Sequence, residues 1–291
     1  MIVISGATGN VGSELVEQLN LLDVPFRALV RDPALARSLV GPEIELVAGD
    51  FGRPESLEAA LAGAERLFLL CATSREQVEL ESRAVAAAAG AGVSHVVKLS
   101  MLGADPRSQV PYRRWHGEIE AALERSGLVY TLLRPTFYMQ VTRGMLAPDG
   151  ALYVPAGEGR LGWIDVRDVA SAAVRVLTES GHEGRAYALS GPQSLGFAEV
   201  ARKLSAASGH QVDYIDVPPD AAREGMVSMG MPEWQVEASL AMLTSMREGG
   251  FDVVSDDYER VVGVPPHSFD EFARDYAGEF QGGSAGPPPQ A

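Results

Sequence analysis

Short runs of aliphatic and β-branched residues alternate with helical stretches through the first half of the chain. IVIS (2–5), FRALV (26–30), IELVAG (44–49), RLFLLCA (66–72), HVVKLS (95–100) and LVYTLLR (128–134) read as strands. Between the first two, NVGSELVEQLN (10–20) sets Val11, Leu15, Val16 and Leu19 on one helical face. Further helices fit near 33–40, in PESLEAALAG (54–63), over the Ala-rich stretch 76–91 and over about 111–126. Strands that are nearly continuous apolar runs, separated by helices, predict a parallel sheet covered on both faces. Right-handed crossovers then give an α/β fold with a doubly wound parallel Rossmann-type sheet.

After Arg134 and Pro135 the rhythm loosens. The pattern predicts a helix over 137–146, a strand or loop over 150–164, and a helix in DVRDVASAAVRVLTES (165–180). AYALS (186–190) reads as a strand able to rejoin the main sheet. GFAEVARKLSAASG (196–209), DYIDVP (213–218) and a long helix over 232–248 suggest a smaller C-terminal, substrate-side lobe. The expected division is a dinucleotide-binding domain over 1–150, rejoined by 165–192, and a lobe made mainly from 151–280. QGGSAGPPPQA (281–291) has no apolar periodicity and is expected to be a disordered tail.

Charge narrows the function classes. The 291 residues carry 24 basic and 39 acidic side chains, a formal net charge of −15. Nucleic-acid binding rests on clustered Lys and Arg, so nucleic acid is not an expected partner. The single cysteine, Cys71, lies inside LFLLCA (67–72) and is expected as a buried core thiol, with no disulfide within the chain. MIVIS (1–5) runs straight into a strand, and the longest apolar run is far short of the ~20 residues of a membrane span. The expectation is a cytoplasmic protein, monomer or homodimer, with no membrane partner. The five histidines and one cysteine show no metal-ligand spacing, and no metal is expected.

SGATGNVG (5–12) places Gly6, Gly9 and Gly12 between the first strand and the first helix. In that context Gly6 permits the tight turn, Gly9 lets the backbone approach a pyrophosphate, and Gly12 lets helix and strand pack closely. Gly6, Thr8, Gly9, Asn10, Val11 and Gly12 are therefore expected to hold the pyrophosphate of a dinucleotide, helped by the free N–H groups of the helix N-terminus. An NAD site ends its second strand with an acid for the ribose 2′-hydroxyl. FRALVRDP (26–33) instead brings Arg31 to that place, with Asp32 one residue late. A guanidinium there suits a 2′-phosphate, which favours NADP(H). In GDFGRP (49–54), Asp50 and Phe51 are candidates for the adenine side, with helix capping as the other reading of Asp50.

GATGNVG, LVRDP, GDF, KLSMLGAD (98–105), WHGEIEAALERSGLVYTLLRPTFYMQ (115–140) and WIDVRDVASAA (163–173) together resemble the NmrA-like branch of atypical short-chain dehydrogenases/reductases. The resemblance runs over roughly residues 1–220. It implies NADP(H) bound to a Rossmann-type domain, with a small C-terminal lobe closing over the substrate cleft. It also implies one of several activities: reduction of quinones, of plant phenolic ethers and isoflavones, or of aromatic polyketide ketones, or redox sensing without turnover.

A typical short-chain reductase uses Ser, Tyr and Lys: Tyr protonates the carbonyl oxygen, Lys lowers the Tyr pKa and holds the ribose, and Ser hydrogen-bonds the substrate. In this chain Ser100 falls near the Ser region, and Tyr112 and His116 of PYRRWHGEIE (111–120) fall at the Tyr and Lys positions. Residues four apart share a helix face, so both are candidates to face the cofactor. Histidine is mostly neutral at pH 7 and stabilises a tyrosinate weakly, yet it can hydrogen-bond a ribose hydroxyl or deliver a proton. In the phenolic-ether branch a Lys aligns with His116, which makes His116 the first candidate and Tyr112 the second. Asp165 and Asp168 sit where a helix begins and are expected to cap it. Phe137, Tyr138, Met139, Trp163, Met226, Met229, Met231 and Trp234 divide between core packing and the lining of an apolar cleft.

The expected function is an NADPH-dependent oxidoreductase passing hydride to a quinone or conjugated aromatic carbonyl. The alternatives are a ketoreductase of a polycyclic aromatic, polyketide-type metabolite and a non-catalytic NADP(H)-sensing regulator.

Overall fold

Seven parallel strands carry the fold of the computed structural model, which describes residues 1–281. The chain starts with β1 (Ile2–Ser5), α1 (Asn10–Leu21), β2 (Phe26–Val30), α2 (Pro33–Val40) and β3 (Glu45–Ala48). The alternation continues through α3 (Pro54–Leu61), β4 (Arg66–Leu69), α4 (Gln77–Gly90), β5 (His95–Leu99), α5 (Pro111–Arg125) and β6 (Val129–Pro135). Next come α6 (Val141–Met145), β7 (Ala151–Tyr153), β8 (Arg160–Leu161), α7 (Val166–Thr178) and β9 (Ala186–Leu189). The chain then forms β10 (Leu195–Gly196), α8 (Phe197–Ser208), β11 (Asp213–Ile215), α9 (Pro219–Ser228), α10 (Glu233–Arg247), α11 (Asp257–Val262) and α12 (Phe269–Asp275). A single 3-10 turn, Ala277–Phe280, follows. Apart from Gln281, the expected disordered tail lies outside the described residues.

The sheet order is β3-β2-β1-β4-β5-β6-β9, and every pair is parallel. Chain order reverses at β1, which pairs with β2 on one side and β4 on the other. In a sheet of this kind ligands bind in the crevice beyond the carboxyl ends of the strands at that switch point. One face is covered by α1 and α7, whose apolar stripes (Val11, Leu15, Val16 and Leu19 on α1) join Ile4, Phe68, Val97 and Leu133 in one core. The other face is covered by α3, α4 and α5, where Leu57, Val85 and Leu123 pack on Val3, Leu67 and Val96. Strand alternation thus sends Val97 and Val96 to opposite faces.

A second core forms around Trp163, fully buried with its indole N–H donating to the Leu195 carbonyl at 2.9 Å. Phe137, Phe197 and Phe269 meet it edge-on at 5.2, 5.2 and 5.7 Å. Two short sheets, β7 with β11 and β8 with β10, belong to this part of the chain. The helix expected over 137–146 shrinks to α6, because the backbone of 137–139 pairs instead with Ile164 (Ile164 N–H to Phe137 O, 3.0 Å; Met139 N–H to Ile164 O, 2.9 Å). The same pairing buries Phe137, Met139 and Trp163 in the core, so none of the three lines a cleft. The stretch 150–164 yields β7 and β8, and DYIDVP supplies β11, parallel to β7.

Candidate functional site

The glycine loop lies at the switch point, and backbone crowding dictates two of its glycines. Gly6 has φ +70° and a side chain there would come within 2.7 Å of Leu70 Cγ. A Cβ on Gly12 would lie 1.9 Å from the Gly6 carbonyl oxygen, so only glycine lets α1 approach the loop this closely. The Gly9 N–H closes the turn on Gly6 O at 3.0 Å, and the Ser5 hydroxyl accepts the Leu70 N–H at 2.9 Å, tying the end of β1 to β4. Gly9 is the N-cap of α1; no side chain caps this end and no acid occupies its first turn. The first intrahelical bond is Ser13 N–H to Gly9 O, which leaves the N–H groups of Asn10, Val11 and Gly12 without helical partners. Thr8 is exposed and the Val11 side chain is buried in the core, so Val11 offers only its backbone.

At the end of β2, Arg31 is exposed and, among the described residues, makes no hydrogen bond or ion pair. Asp32 is committed elsewhere: its Oδ1 accepts the Ala34 and Leu35 N–H groups at 2.8 and 3.2 Å and caps α2. The acid that follows one residue late is thereby occupied by a helix. After β3, Asp50 accepts the Gly52 N–H at 2.8 Å and lies 3.5 Å from Arg53 Nε. Phe51 is 8% exposed and packs in the core under α3 and α4, leaving little of its ring for a ligand. Asp50 thus shapes the turn into α3. Cys71, just past β4, is half-buried and not the core thiol expected; burial, reinforced by the Glu81 carboxylate, pushes its thiol up to about 11.

On α5 the Tyr/His pair divides. The Tyr112 hydroxyl faces Ser239 Oγ of α10 at 3.3 Å, and its ring meets Trp115 edge-on at 5.3 Å. Trp115 in turn approaches Trp234 at 5.9 Å, so these aromatic rings join α5 to α10. Burial raises the Tyr112 phenol above its ordinary range, the Ser239 bond opposing it. His116 is partly exposed as a residue, but its Nδ1 is buried and has no hydrogen-bond partner. Burial, and after it the Lys98 ammonium, hold the imidazole well below the usual histidine range, so it is neutral at pH 7. Ser100 is 4% exposed and donates to Glu120 Oε1 at 2.5 Å. Glu120 also receives Arg134 through Nε and an Nη at 3.0 and 2.5 Å. The Ser100 hydroxyl is therefore engaged in a buried network joining β5, α5 and β6.

Lys98 is the residue that the sequence pattern concealed. It is fully buried on β5 and lies 2.8 Å from Glu81 Oε2 of α4, itself fully buried. Gln77 Nε2 donates to the other Glu81 oxygen at 3.0 Å. Nothing in HVVKL distinguishes a buried lysine from one that reaches solvent; the one available signal was an acid on the neighbouring helix able to meet it.

Asp165 and Asp168 belong to α7 as helix-start acids. Asp165 accepts the Arg167 N–H at 2.9 Å and Gln140 Nε2 at 2.7 Å. Asp168 is buried and receives both the His267 N–H (2.9 Å) and Nδ1 (2.6 Å), fastening α7 to the chain before α12. Among the cleft-lining candidates Tyr138 is half-buried beside Ile164, Trp234 is half-buried against Trp115, and Met229 is 74% exposed. Met226 packs against the second core and Met231 is partly exposed. Among the described residues no helix is long and apolar enough to cross a membrane.

The loop fits a dinucleotide: a cradle that a Cβ would fill, unpartnered N–H groups at an uncapped helix start, and an unpaired guanidinium at the next strand end. Comparison with known proteins agrees with that fit. A model of the "NmrA-like family" matches residues 1–266. An NAD(P)H azoreductase from Xenophilus azovorans is 39% identical over 283 residues, covering 96% of this chain and 99% of its own. The NADPH complex of an NADPH-dependent quinone oxidoreductase from Escherichia coli superposes with a TM-score of 0.85 at 31% identity, covering 94% of this chain and 99% of that one. The NADP(H) complex of a Citrobacter sp. triphenylmethane reductase gives a TM-score of 0.85 at 30% identity over 95% of this chain and 100% of that one.

Proposed function

Because the chain belongs to the NmrA-like family, we propose that it is an NADPH-dependent oxidoreductase that reduces a quinone or a similarly conjugated acceptor. The observation that carries the cofactor choice is Arg31, unpaired at the end of β2 while Asp32 is spent on capping α2. The N–H groups of Asn10, Val11 and Gly12, with Gly6, Thr8 and Gly9, hold the pyrophosphate; Arg31 receives the 2′-phosphate. Asp50 and Phe51 bound the adenine side by shaping its wall, since the Asp50 side chain serves its own turn. When bound, NADPH supplies the hydride.

Tyr112 and Ser100 are poorly placed as acids: one is held high by burial at α10, the other donates to Glu120. His116 remains, a neutral imidazole able to hydrogen-bond a ribose hydroxyl or the acceptor oxygen. Such a site lacks a strong proton donor and favours acceptors that take hydride readily and draw the final proton from water. Quinones meet that requirement, as do azo compounds, the acceptor class in the name of the 39% identical relative. Net balance is one hydride and one proton per quinone, giving the hydroquinone.

The test is loss of NADPH absorbance with a panel of benzo- and naphthoquinones, an azo dye and polycyclic aromatic ketones. Turnover with quinones supports the reading. Turnover with ketones alone favours the ketoreductase, and tight NADPH binding without any turnover favours a sensor.

A further inference from the structure

We propose that Arg113 is the positioning residue that holds α10 against the helix of His116, and so sets how tightly the site takes its acceptor. Arg113 lies in the first turn of α5, one turn ahead of His116. Its Nε donates to the Leu102 carbonyl at 3.1 Å, one Nη to the Ser245 hydroxyl at 3.1 Å and the other to the Gly250 carbonyl at 2.5 Å. Leu102 belongs to the loop beyond the carboxyl end of β5, on the crevice side of the sheet, and its N–H donates to Pro135 O at 2.9 Å. Ser245 and Gly250 belong to the last turn of α10 and to the turn that follows it. The guanidinium also lies over the Phe251 ring, 4.3 Å from its centroid, and Phe251 is buried in the core around Trp163.

Among the described residues no carboxylate pairs with Arg113. Its charge is met by neutral acceptors, an aromatic face and the negative end of the α10 dipole. Bonds made through one planar fork fix direction as well as distance, which an ammonium cannot do. The surroundings leave room for nothing more: a Cβ on Gly103 would lie 2.8 Å from Arg113 Nε, and one on Gly250 would lie 2.3 Å from Ser245 Oγ. The Arg113 carbonyl accepts the Asp105 N–H at 3.1 Å, so backbone and side chain together secure the loop between β5 and α5. The other links from α5 to α10 are the long Tyr112–Ser239 contact at 3.3 Å and the Trp115–Trp234 ring pair at 5.9 Å. Arg113 therefore carries the main polar attachment of α10 to the His116 helix.

The acceptor in this inference rests on the proposed reductase reading; the attachment of α10 does not. If α10 is docked only part of the time, the apparent affinity for an acceptor held between it and α5 falls by the docked fraction, while a saturating acceptor restores docking. Arg113→Ala is thus expected to raise the KM for a naphthoquinone about tenfold, with kcat and the Kd for NADPH kept within about twofold. Millimolar guanidinium, filling the vacated space, lowers that KM again, and urea at the same concentration does not. Amide hydrogen exchange of the unliganded variant speeds up in α10 and stays unchanged in β1 and α1. A merely structural role would instead shrink the folded fraction, lowering kcat at unchanged KM, and guanidinium would deepen the loss. That result overturns the proposal, as does unchanged exchange in α10. If Arg113→Ala fails to fold, Ser245→Ala decides. It removes one acceptor and is expected to raise the quinone KM about threefold with faster exchange in α10; neither change appearing overturns the proposal. Faster α10 exchange with no turnover of any acceptor sinks the reductase reading alone; quinone turnover with unaltered exchange sinks this inference alone.

Discussion

Gly12→Ala is the sharpest perturbation of the dinucleotide loop. The added methyl would sit 1.9 Å from Gly6 O, 2.6 Å from Gly6 C and 3.0 Å from Ala7 Cα, where ordinary contact begins at 3.4 Å. All three obstacles are backbone, so no side chain can rotate away; α1 and the loop must separate. Overpacking of this kind costs about 1–3 kcal/mol of stability. The separation also moves the N–H groups of Asn10, Val11 and Gly12 from the positions proposed for the pyrophosphate. Losing one hydrogen bond to a charged group costs about 1.5–3 kcal/mol, which is roughly 10- to 150-fold in Kd. Fluorescence titration of NADPH measures the affinity, and a thermal melt of the unliganded variant separates the stability term. A folded Gly12→Ala protein that binds NADPH within about twofold of the parent would refute the cradle.

Arg31→Ala is expected to weaken NADPH about 10- to 100-fold and leave NADH nearly unchanged, measured by the same titration; equal losses for both contradict the 2′-phosphate assignment. Asp32→Ala removes the α2 cap and should lower stability by about 1 kcal/mol in urea unfolding. If that variant instead changes the NADPH/NADH preference as strongly as Arg31→Ala, Asp32 serves the ribose and not the helix. The Cys71 thiol, pushed up to about 11 by burial, is protonated throughout the neutral range. Since the thiolate is the reactive form, alkylation of the native protein should be slow at pH 8 and accelerate only as pH approaches that value. Rapid stoichiometric labelling at pH 8 would show an activated thiol.

Local chemistry made the main sheet and the loop legible. β1 to β6 are apolar runs bounded by helices, and the three glycines act through their own backbone, which a linear pattern records. The doubly wound sheet followed from the handedness of crossovers; the strand order came from the structure. Burial of long-range partners was not legible. Ser100 looked free because its partner Glu120 lies twenty residues on and is itself claimed by Arg134. The burial of Lys98 was not legible because only the packing of α4 on β5 brings Glu81 to it. The helices α9, α11 and α12 were missed: α9 buries only Ala222 and so carries no apolar stripe, while α11 and α12 are six and seven residues long. For α12 a signal existed: Ser268 and Glu271 form a capping box, the Glu271 carboxylate accepting the Ser268 N–H at 2.7 Å.

The central claim is that this site transfers hydride and does not merely hold a dinucleotide. The direct measurement compares a naphthoquinone's reduction by NADPH with its reduction by NADPH deuterated at the transferred position. The account predicts one NADPH consumed per quinone and a primary isotope effect on kcat/KM. Tight NADPH binding with no oxidation by any acceptor in the panel would contradict it.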